Sequence, residues 1–224
     1  MGNTVGSFGS LYLGVNNRAV RNLRNSLVLS SQQKSFIYGT MLGDGSIIGN
    51  QNNKQKNYRL QIAHSIKQKE LVLWKYEILK KFVIKSPSYR KINNSLVFRT
   101  ISHPQITEIY NFFYKNSKKV LPSNIEDILK DKLSLAVWFM DDGGIARYSG
   151  KIQGYYLNTQ SFNLKENQKL VRLFEKAYGL KVYILKNKGN HRLYFGSQAR
   201  NLFRQLIVDR IIPSLNYKII GTQI

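Results

Sequence analysis

Two aspartates, Asp44 and Asp142, end two similar segments of this chain and lie 98 positions apart. Each follows an apolar stretch that contains small residues, 37–43 in the first copy and 135–141 in the second, and each is followed by glycine. One helix that ends at Asp-Gly is most simply an ordinary helix stop. Two matched copies instead predict two similar halves that contribute one carboxylate each.

The chemistry of such a pair follows from where the carboxylates lie. A helix C-terminus carries roughly half an elementary negative charge, so a carboxylate there is unfavourable. Two such helices packed side by side would also bring the carboxylates into mutual repulsion, and Gly39, Gly43 and Ala136 would permit that close approach. Bound divalent cations relieve both problems, and oxygen ligands of this kind favour Mg²⁺. The pattern therefore predicts metal-assisted hydrolysis of a phosphodiester.

The elements that must hold these carboxylates follow the order αββαββα twice. A capping box at Ser30 predicts the helix that runs to Asp44, with Gly45 as its left-handed stop. Further capping boxes at Ser65 and Asn163 predict the next helix of each half. We expect an α+β fold of two pseudo-symmetric repeats, each with a saddle-shaped sheet, joined at the paired motif helices. The predicted ranges are an arm at 1–30, a first repeat at 31–114, a linker at 115–130 and a second repeat at 131–220.

The charge balance indicates an anionic partner. The 224 residues include 35 lysines and arginines against 12 acidic residues, for a net charge of +23. Nucleic acid is the first candidate and a membrane surface the second. No apolar run reaches the roughly 18 residues of a membrane span. The absence of cysteine excludes disulfides and thiolate metal sites, and the absence of a glycine-rich phosphate loop argues against a nucleotide-hydrolysing enzyme.

Alternating polar and apolar residues predict sheets with one buried face and one basic, concave face that could follow a DNA major groove. Arginine can bond guanine, and asparagine or glutamine can bond adenine, through paired hydrogen bonds. For each residue the alternative is a plain solvated sheet face. The candidate DNA-binding residues are Arg59, Gln61, Arg90 and Arg99 in the first half and Tyr156, Asn158, Gln160, Lys181, Arg192 and Tyr194 in the second. His64 lacks the partner spacing of a zinc helix and is expected to be structural or to face phosphate.

Segments 37–45 and 135–144, together with 157–162, resemble the motif regions of single-chain, two-repeat LAGLIDADG homing endonucleases encoded by group I introns. The resemblance covers about residues 30–220. It implies that Asp44 and Asp142 are the catalytic metal ligands and that the backbone carbonyls of Gly43 and Asp141 complete the coordination. It also implies one basic residue near the scissile phosphates in each half. Lys119 and Lys218 match those places, Lys118 is a less favoured substitute, and Gln61 and Gln160 are candidate pocket residues.

This resemblance implies a site-specific endonuclease that cuts both strands of a long asymmetric DNA target, leaves 3′ overhangs and initiates intron homing. Mg²⁺ is the expected cofactor, with Mn²⁺ as a substitute and Ca²⁺ supporting binding without cleavage. The expected protein is a monomer that binds double-stranded DNA and no membrane, in a mitochondrion or chloroplast. Two alternatives remain open: an intron RNA maturase that assists splicing, and a basic nucleic-acid-binding protein without catalysis.

Overall fold

The computed structural model describes residues 18–49 and 57–220. Within them the α-helices are α1 Arg18–Ser26, α2 Ser31–Leu42, α3 Lys69–Leu79, α4 Pro104–Phe113, α5 Ile125–Lys130, α6 Lys132–Asp142, α7 Leu164–Tyr178 and α8 Arg200–Ile207. The strands are β1 Ser46–Ile48, β2 Arg59–Ser65, β3 Ser88–Arg90, β4 Ser95–Arg99, β5 Tyr114–Lys115, β6 Lys118–Lys119, β7 Gly143–Tyr148, β8 Lys151–Asn158, β9 Tyr183–Asn187 and β10 Asn190–Phe195. None of the helices in these ranges is long and apolar enough to cross a membrane.

Two antiparallel sheets of four strands share one topology. The first has the order β1-β2-β4-β3 and the second β7-β8-β10-β9. Their registers also correspond, because Ser46 pairs with Gln61 in the first sheet and Gly144 pairs with Tyr156 in the second. In each sheet the first strand directly follows a motif helix, so the repeated order in the sequence becomes a repeated fold. The predicted α+β class and the two-repeat symmetry are confirmed.

The two motif helices, α2 and α6, pack against each other at the centre of the molecule. All residues of α6 from Ser134 to Asp141 are buried, as expected for a helix that is apolar on every side. The hydroxyl of Ser134 donates a hydrogen bond of 2.8 Å to the Ser35 carbonyl of the facing helix. This packing brings the C-terminal ends of the two helices together, and with them Asp44 and Asp142.

Gly39 sets how closely these helices approach. A Cβ atom at this position would overlap the Ser134 carbonyl oxygen and would lie 2.7 Å from Val137 Cβ. We therefore expect Gly39→Ala to destabilise the fold by at least ~1–3 kcal/mol, because the facing backbone cannot move without separating the helices. Urea unfolding followed by circular dichroism measures this, with Gly144→Ala as the control because nothing lies within 4 Å of a Cβ there. Equal stability of the two variants would contradict the close contact.

Two local predictions are wrong. Gly45 is absent from the residues with positive φ, because α2 ends at Leu42 and its C-cap is Gly43, whose amide donates to the Gly39 carbonyl. Ser65 does not form a capping box. Its hydroxyl accepts from Lys67 N and begins a short 3-10 helix at Ile66–Gln68 that precedes α3.

Other local predictions hold. Ser30 and Asn163 form complete capping boxes. The arm contributes α1, while residues 1–17 lie outside the described part. The stretch at 115–130 was expected only to connect the repeats, but it forms β5, β6 and α5. A 3-10 helix at Pro213–Lys218, also unpredicted, carries Lys218.

Candidate active site

The ends of α2 and α6 place the two motif carboxylates in different surroundings. The side chain of Asp44, two residues past α2, is 50% exposed, whereas Asp142 is the last residue of α6 and is partly buried. Burial, followed by the negative charges of Asp44 and Asp141, raises the pKa of Asp142 to about 8, while Lys119 and Lys218 act in the opposite direction. The electrostatic influence of Asp44 on Asp142 means that the two carboxylates share one site.

One lysine from the linker and one from the second repeat each reach the end of a motif helix. Lys119 Nζ donates to the carbonyls of Gly43 at 2.6 Å and Gly45 at 3.2 Å. Lys218 Nζ donates to the carbonyls of Met140 at 2.6 Å and Asp141 at 3.1 Å. Burial lowers the pKa of both ammonium groups, although the nearby aspartates oppose that effect. The structure therefore brings both predicted lysines to the carboxylates, while Lys118 is exposed.

A buried ion pair beside these carboxylates was not predicted. Lys75 Nζ lies 2.6 Å from Asp141 Oδ1 and 2.8 Å from Asp141 Oδ2, and both side chains are 0% exposed. Asp141 Oδ2 also accepts from the backbone N–H of Asp44 at 3.3 Å. The sequence feature that could have indicated a buried Lys75 is the helical period, because Lys75 falls midway between the buried Leu71 and Leu79 on one face of α3.

The ring of His64 lies between two carboxylates. Its Nδ1 is 3.5 Å from Asp44 Oδ2 and its Nε2 is 3.6 Å from Asp141 Oδ1. Burial, followed by the positive charge of Lys75, lowers the pKa of His64 to about 3, while Asp44 acts in the opposite direction. The ring is therefore neutral near pH 7, and these contacts are not salt bridges. This agrees with the expectation of a structural or phosphate-facing histidine.

The donor set at the helix ends suits a cation. Among the described residues no group of three histidine, cysteine or acidic side chains is arranged as a metal site, so a metal here would combine Asp44 and Asp142 with backbone carbonyls. Two of those carbonyls, from Gly43 and Asp141, already accept from ammonium groups. They therefore point into a position that accommodates positive charge, where a bound cation would also relieve the unfavourable ionisation of Asp142.

The outer face of the first sheet carries a cluster of arginines. Arg99 Nε donates to Gln61 Oε1 at 2.6 Å, and the two residues are cross-strand partners. Burial lowers the pKa of the Arg99 guanidinium, and the positive charges of Arg59 and Arg90 lower it further. A cavity of about 400 Å³ opens beside the cluster, and the cationic residues in its lining are Arg59, Lys85, Arg90 and Arg99. None of the described residues that line this cavity is acidic, so the face suits phosphate or base edges.

The second sheet presents a different set of side chains. The guanidinium of Arg192 stacks 3.6 Å from the ring centroid of Tyr156. Tyr156 in turn packs beside Tyr194 at 5.3 Å between ring centroids. Asn158 is the cross-strand partner of Arg192 and accepts from Gln160 Nε2 at 3.3 Å. These five predicted residues therefore form one group, while Lys181 lies just before β9 and is exposed.

The sequence and the fold were then compared with known proteins. The family model described as "LAGLIDADG DNA endonuclease family" matches residues 34–203. The "Probable intron-encoded endonuclease 1" of Wickerhamomyces canadensis is 27% identical over 220 residues, covering 94% of each chain. The "Cytochrome b mRNA maturase bI2" of Debaryomyces hansenii is 28% identical over 203 residues, covering 85% of this chain and 74% of the maturase.

The fold also matches a solved complex. The structure of the homing endonuclease I-WcaI bound to its DNA recognition sequence superimposes with a TM-score of 0.82 at 27% identity. The match covers 93% of this chain and 95% of that one.

Proposed function

Because the chain belongs to the LAGLIDADG DNA endonuclease family, we propose that it cuts both strands of a specific DNA site through Asp44 and Asp142. The observation that carries this proposal is the pairing of the two carboxylates at the ends of α2 and α6, flanked by one lysine from the linker and one from the second repeat. A protein that only bound nucleic acid would have no use for a partly buried carboxylate whose ionisation is unfavourable.

We propose double-stranded DNA as the substrate and a long asymmetric sequence as the target. Support comes from the two outer sheet faces, which carry different side chains: an arginine cluster on the first and a stacked tyrosine, arginine and amide group on the second. Since both motif helices belong to one chain, a monomer can assemble the whole site. The target half-sites are then expected to differ in sequence, and affinity should fall as salt concentration rises.

We propose Mg²⁺ as the cofactor, held by the carboxylates of Asp44 and Asp142 and the carbonyls of Gly43 and Asp141. When bound, divalent cations supply an activated water and stabilise the leaving oxygen. Lys119 and Lys218 would orient the attacking water or stabilise developing negative charge on the scissile phosphates. Asp142 and both lysines are partly buried, which strengthens these electrostatic interactions relative to those of fully solvated groups.

The test uses a plasmid that carries the intronless form of the locus where the host intron inserts. We expect the purified protein to convert supercoiled plasmid to a linear product with Mg²⁺ or Mn²⁺ and to bind without cutting in Ca²⁺. Sequencing of the ends should show 3′ overhangs, and a plasmid that already contains the intron should stay intact. Binding to the intronless site without any strand break under all metal conditions would contradict the proposal.

A second candidate function is intron RNA maturation. It is favoured by the similarity, over 85% of this chain, to the protein named as a cytochrome b mRNA maturase. A splicing reaction with the host intron transcript would detect it, and Asp44→Asn should leave splicing unchanged because the carboxylate serves DNA hydrolysis. The two activities can coexist on one scaffold.

Arg192 offers a prediction about target reading. Its guanidinium is held flat against Tyr156, which pre-orients it for the paired hydrogen bonds that recognise guanine. We expect Arg192→Ala to cost ~1–3 kcal/mol of binding and to relax preference at one base position. Equilibrium binding in Ca²⁺ to single-base variants of the target measures both effects. Arg172→Ala, on the exposed surface of α7, is the charge-matched control; equal losses for both variants would indicate only general charge attraction.

A further inference from the structure

The carboxylate of Asp141 belongs to the second repeat but is buried among residues of the first. Both of its oxygens bind Lys75 Nζ from α3, and one also accepts from the backbone N–H of Asp44. Gly43 makes this crossing possible, because a Cβ there would lie 2.6 Å from Asp141 Cβ and 2.7 Å from Asp141 Oδ2. Asp141 therefore connects α6 and α3 to the chain segment that carries the first catalytic carboxylate.

Among the described residues, no equivalent contact joins the first motif helix to the second repeat. Gly43 and Asp141 directly precede the two matched aspartates, so the position equivalent to Asp141 carries no side chain. Gln61 pairs with Ser46 in the first sheet and Tyr156 pairs with Gly144 in the second, so Gln61 and Tyr156 occupy equivalent positions. His64 and Thr159 each lie three residues later in the chain and are therefore equivalent as well. The Thr159 hydroxyl donates a hydrogen bond to Asn167 Oδ1 instead of to a motif carboxylate.

The lysine also lacks a counterpart. Eleven residues after His64 comes Lys75, and eleven residues after Thr159 comes Leu170, which is likewise fully buried in its helix. In the second repeat, an apolar side chain thus occupies the position that a buried ammonium group occupies in the first repeat. A buried charge is costly unless it is paired. Within the described residues, the ammonium group of Lys75 pairs with the Asp141 carboxylate, which also accepts from the Asp44 N–H.

We propose that Lys75 is a positioning residue: through Asp141 it fixes the backbone of Asp44 and makes the two catalytic centres structurally unequal. The side chain of Lys75 is fully buried and its ammonium group contacts the Asp141 carboxylate. Its effect passes from its ammonium group to the Asp141 carboxylate, from there to the Asp44 amide, and so to the carboxylate of Asp44. The consequence for the proposed nuclease is that the two DNA strands depend on Lys75 to different degrees.

The first experiment needs no metal and no DNA, and so it is independent of the proposed function. Amide hydrogen exchange is measured by NMR on the metal-free protein and on the double variant Lys75→Leu/Asp141→Ala. The double variant removes both charges together, so that no uncompensated buried charge threatens folding. We expect the Asp44 amide to exchange about tenfold faster or more. The Gly45 amide, which donates to the Thr40 carbonyl within the same repeat, should keep its protection. Equal loosening of both amides, or of neither, overturns the proposal.

The second experiment uses a target duplex with a different label on each strand. Single-turnover nicking of both strands is followed at saturating enzyme for the parent, for Lys75→Met and for the double variant. We expect the ratio of the two strand rates to change by about tenfold or more, since small displacements of a catalytic group cost rates of that order. Lys132→Met removes the same charge from the exposed, opposite end of α6 and should leave the ratio unchanged.

If Lys75 has only a structural role, its replacement should lower the cleavage rates of both strands by the same factor and should also lower the unfolding temperature. That result would refute the proposal that the two catalytic centres are unequal. If Lys75→Met does not fold, the double variant decides the question. If the parent protein cuts neither strand, the proposed nuclease function is refuted. The hydrogen-exchange experiment would still test whether Lys75 and Asp141 fix the backbone of Asp44.

Discussion

Asp44→Asn and Asp142→Asn are each expected to reduce double-strand cleavage by roughly 10³-fold or more, since each removes a carboxylate that we propose as a ligand of the catalytic metal. Binding to the target in Ca²⁺ should stay close to that of the parent, because neither acid contributes to attraction of DNA and each repels phosphate. Single-turnover cleavage with separate equilibrium binding distinguishes the two effects. Full cleavage by either variant would remove that aspartate from the catalytic site.

The same two variants should differ in stability without metal. The pKa of Asp142 lies near 8 in the folded protein against an ordinary value of 3.8. Between those values the unfolded chain ionises at Asp142 while the folded protein keeps this carboxyl protonated, so the stability of the fold falls as pH rises. Asp142→Asn is therefore expected to become more stable than the parent as pH is raised from 4 to 8. Asp44→Asn, at a half-exposed position, is the matched comparison. Thermal unfolding in a chelating buffer across this pH range measures the difference.

Lys119→Met and Lys218→Met form the second large prediction. Each lysine places its ammonium group on the carbonyls at a motif helix end. Methionine preserves the length and apolar contacts of the side chain but removes the charge, so we expect cleavage at saturating enzyme to fall by about 10²–10³-fold. Binding should weaken much less.

The control for these variants is Lys118→Met, which removes the same charge from the exposed neighbour of Lys119. It should cut at the parental rate once the DNA is saturated. If Lys119→Met and Lys218→Met also cut at the parental rate under that condition, both lysines are ordinary phosphate contacts and have no catalytic role.

Features that repeat along the chain were predictable from the sequence. The matched Asp-Gly segments and the twofold αββαββα order led to paired motif helices and two sheets of identical topology. The capping boxes at Ser30 and Asn163 were also recognisable, because their hydrogen bonds join residues only three apart. The prediction of Lys119 and Lys218 as site residues depended on the family resemblance, because nothing in their spacing connects either lysine to the aspartates.

Features that break the repeat were not predictable. Lys75 and Asp141 lie 66 positions apart, and no periodicity links a lysine in α3 to an acid in α6. The neutral state of His64 likewise depends on burial and on Lys75, which only the folded chain brings together. Gly45 was assigned a left-handed stop because Asp-Gly commonly ends helices, whereas Gly43 is the C-cap of α2. Local rules failed where packing between the repeats decides the conformation.

The absence of a side chain at Gly43 has a consequence for protein engineering. Hybrid nucleases that join the first half of one homologue to the second half of another would separate Gly43 and Lys75 from Asp141. A hybrid partner with a side chain at position 43 would collide with Asp141, and one without a lysine at position 75 would leave that carboxylate buried and unpaired. Positions 43, 75 and 141 must therefore be transplanted together, as one module that spans the junction between the halves.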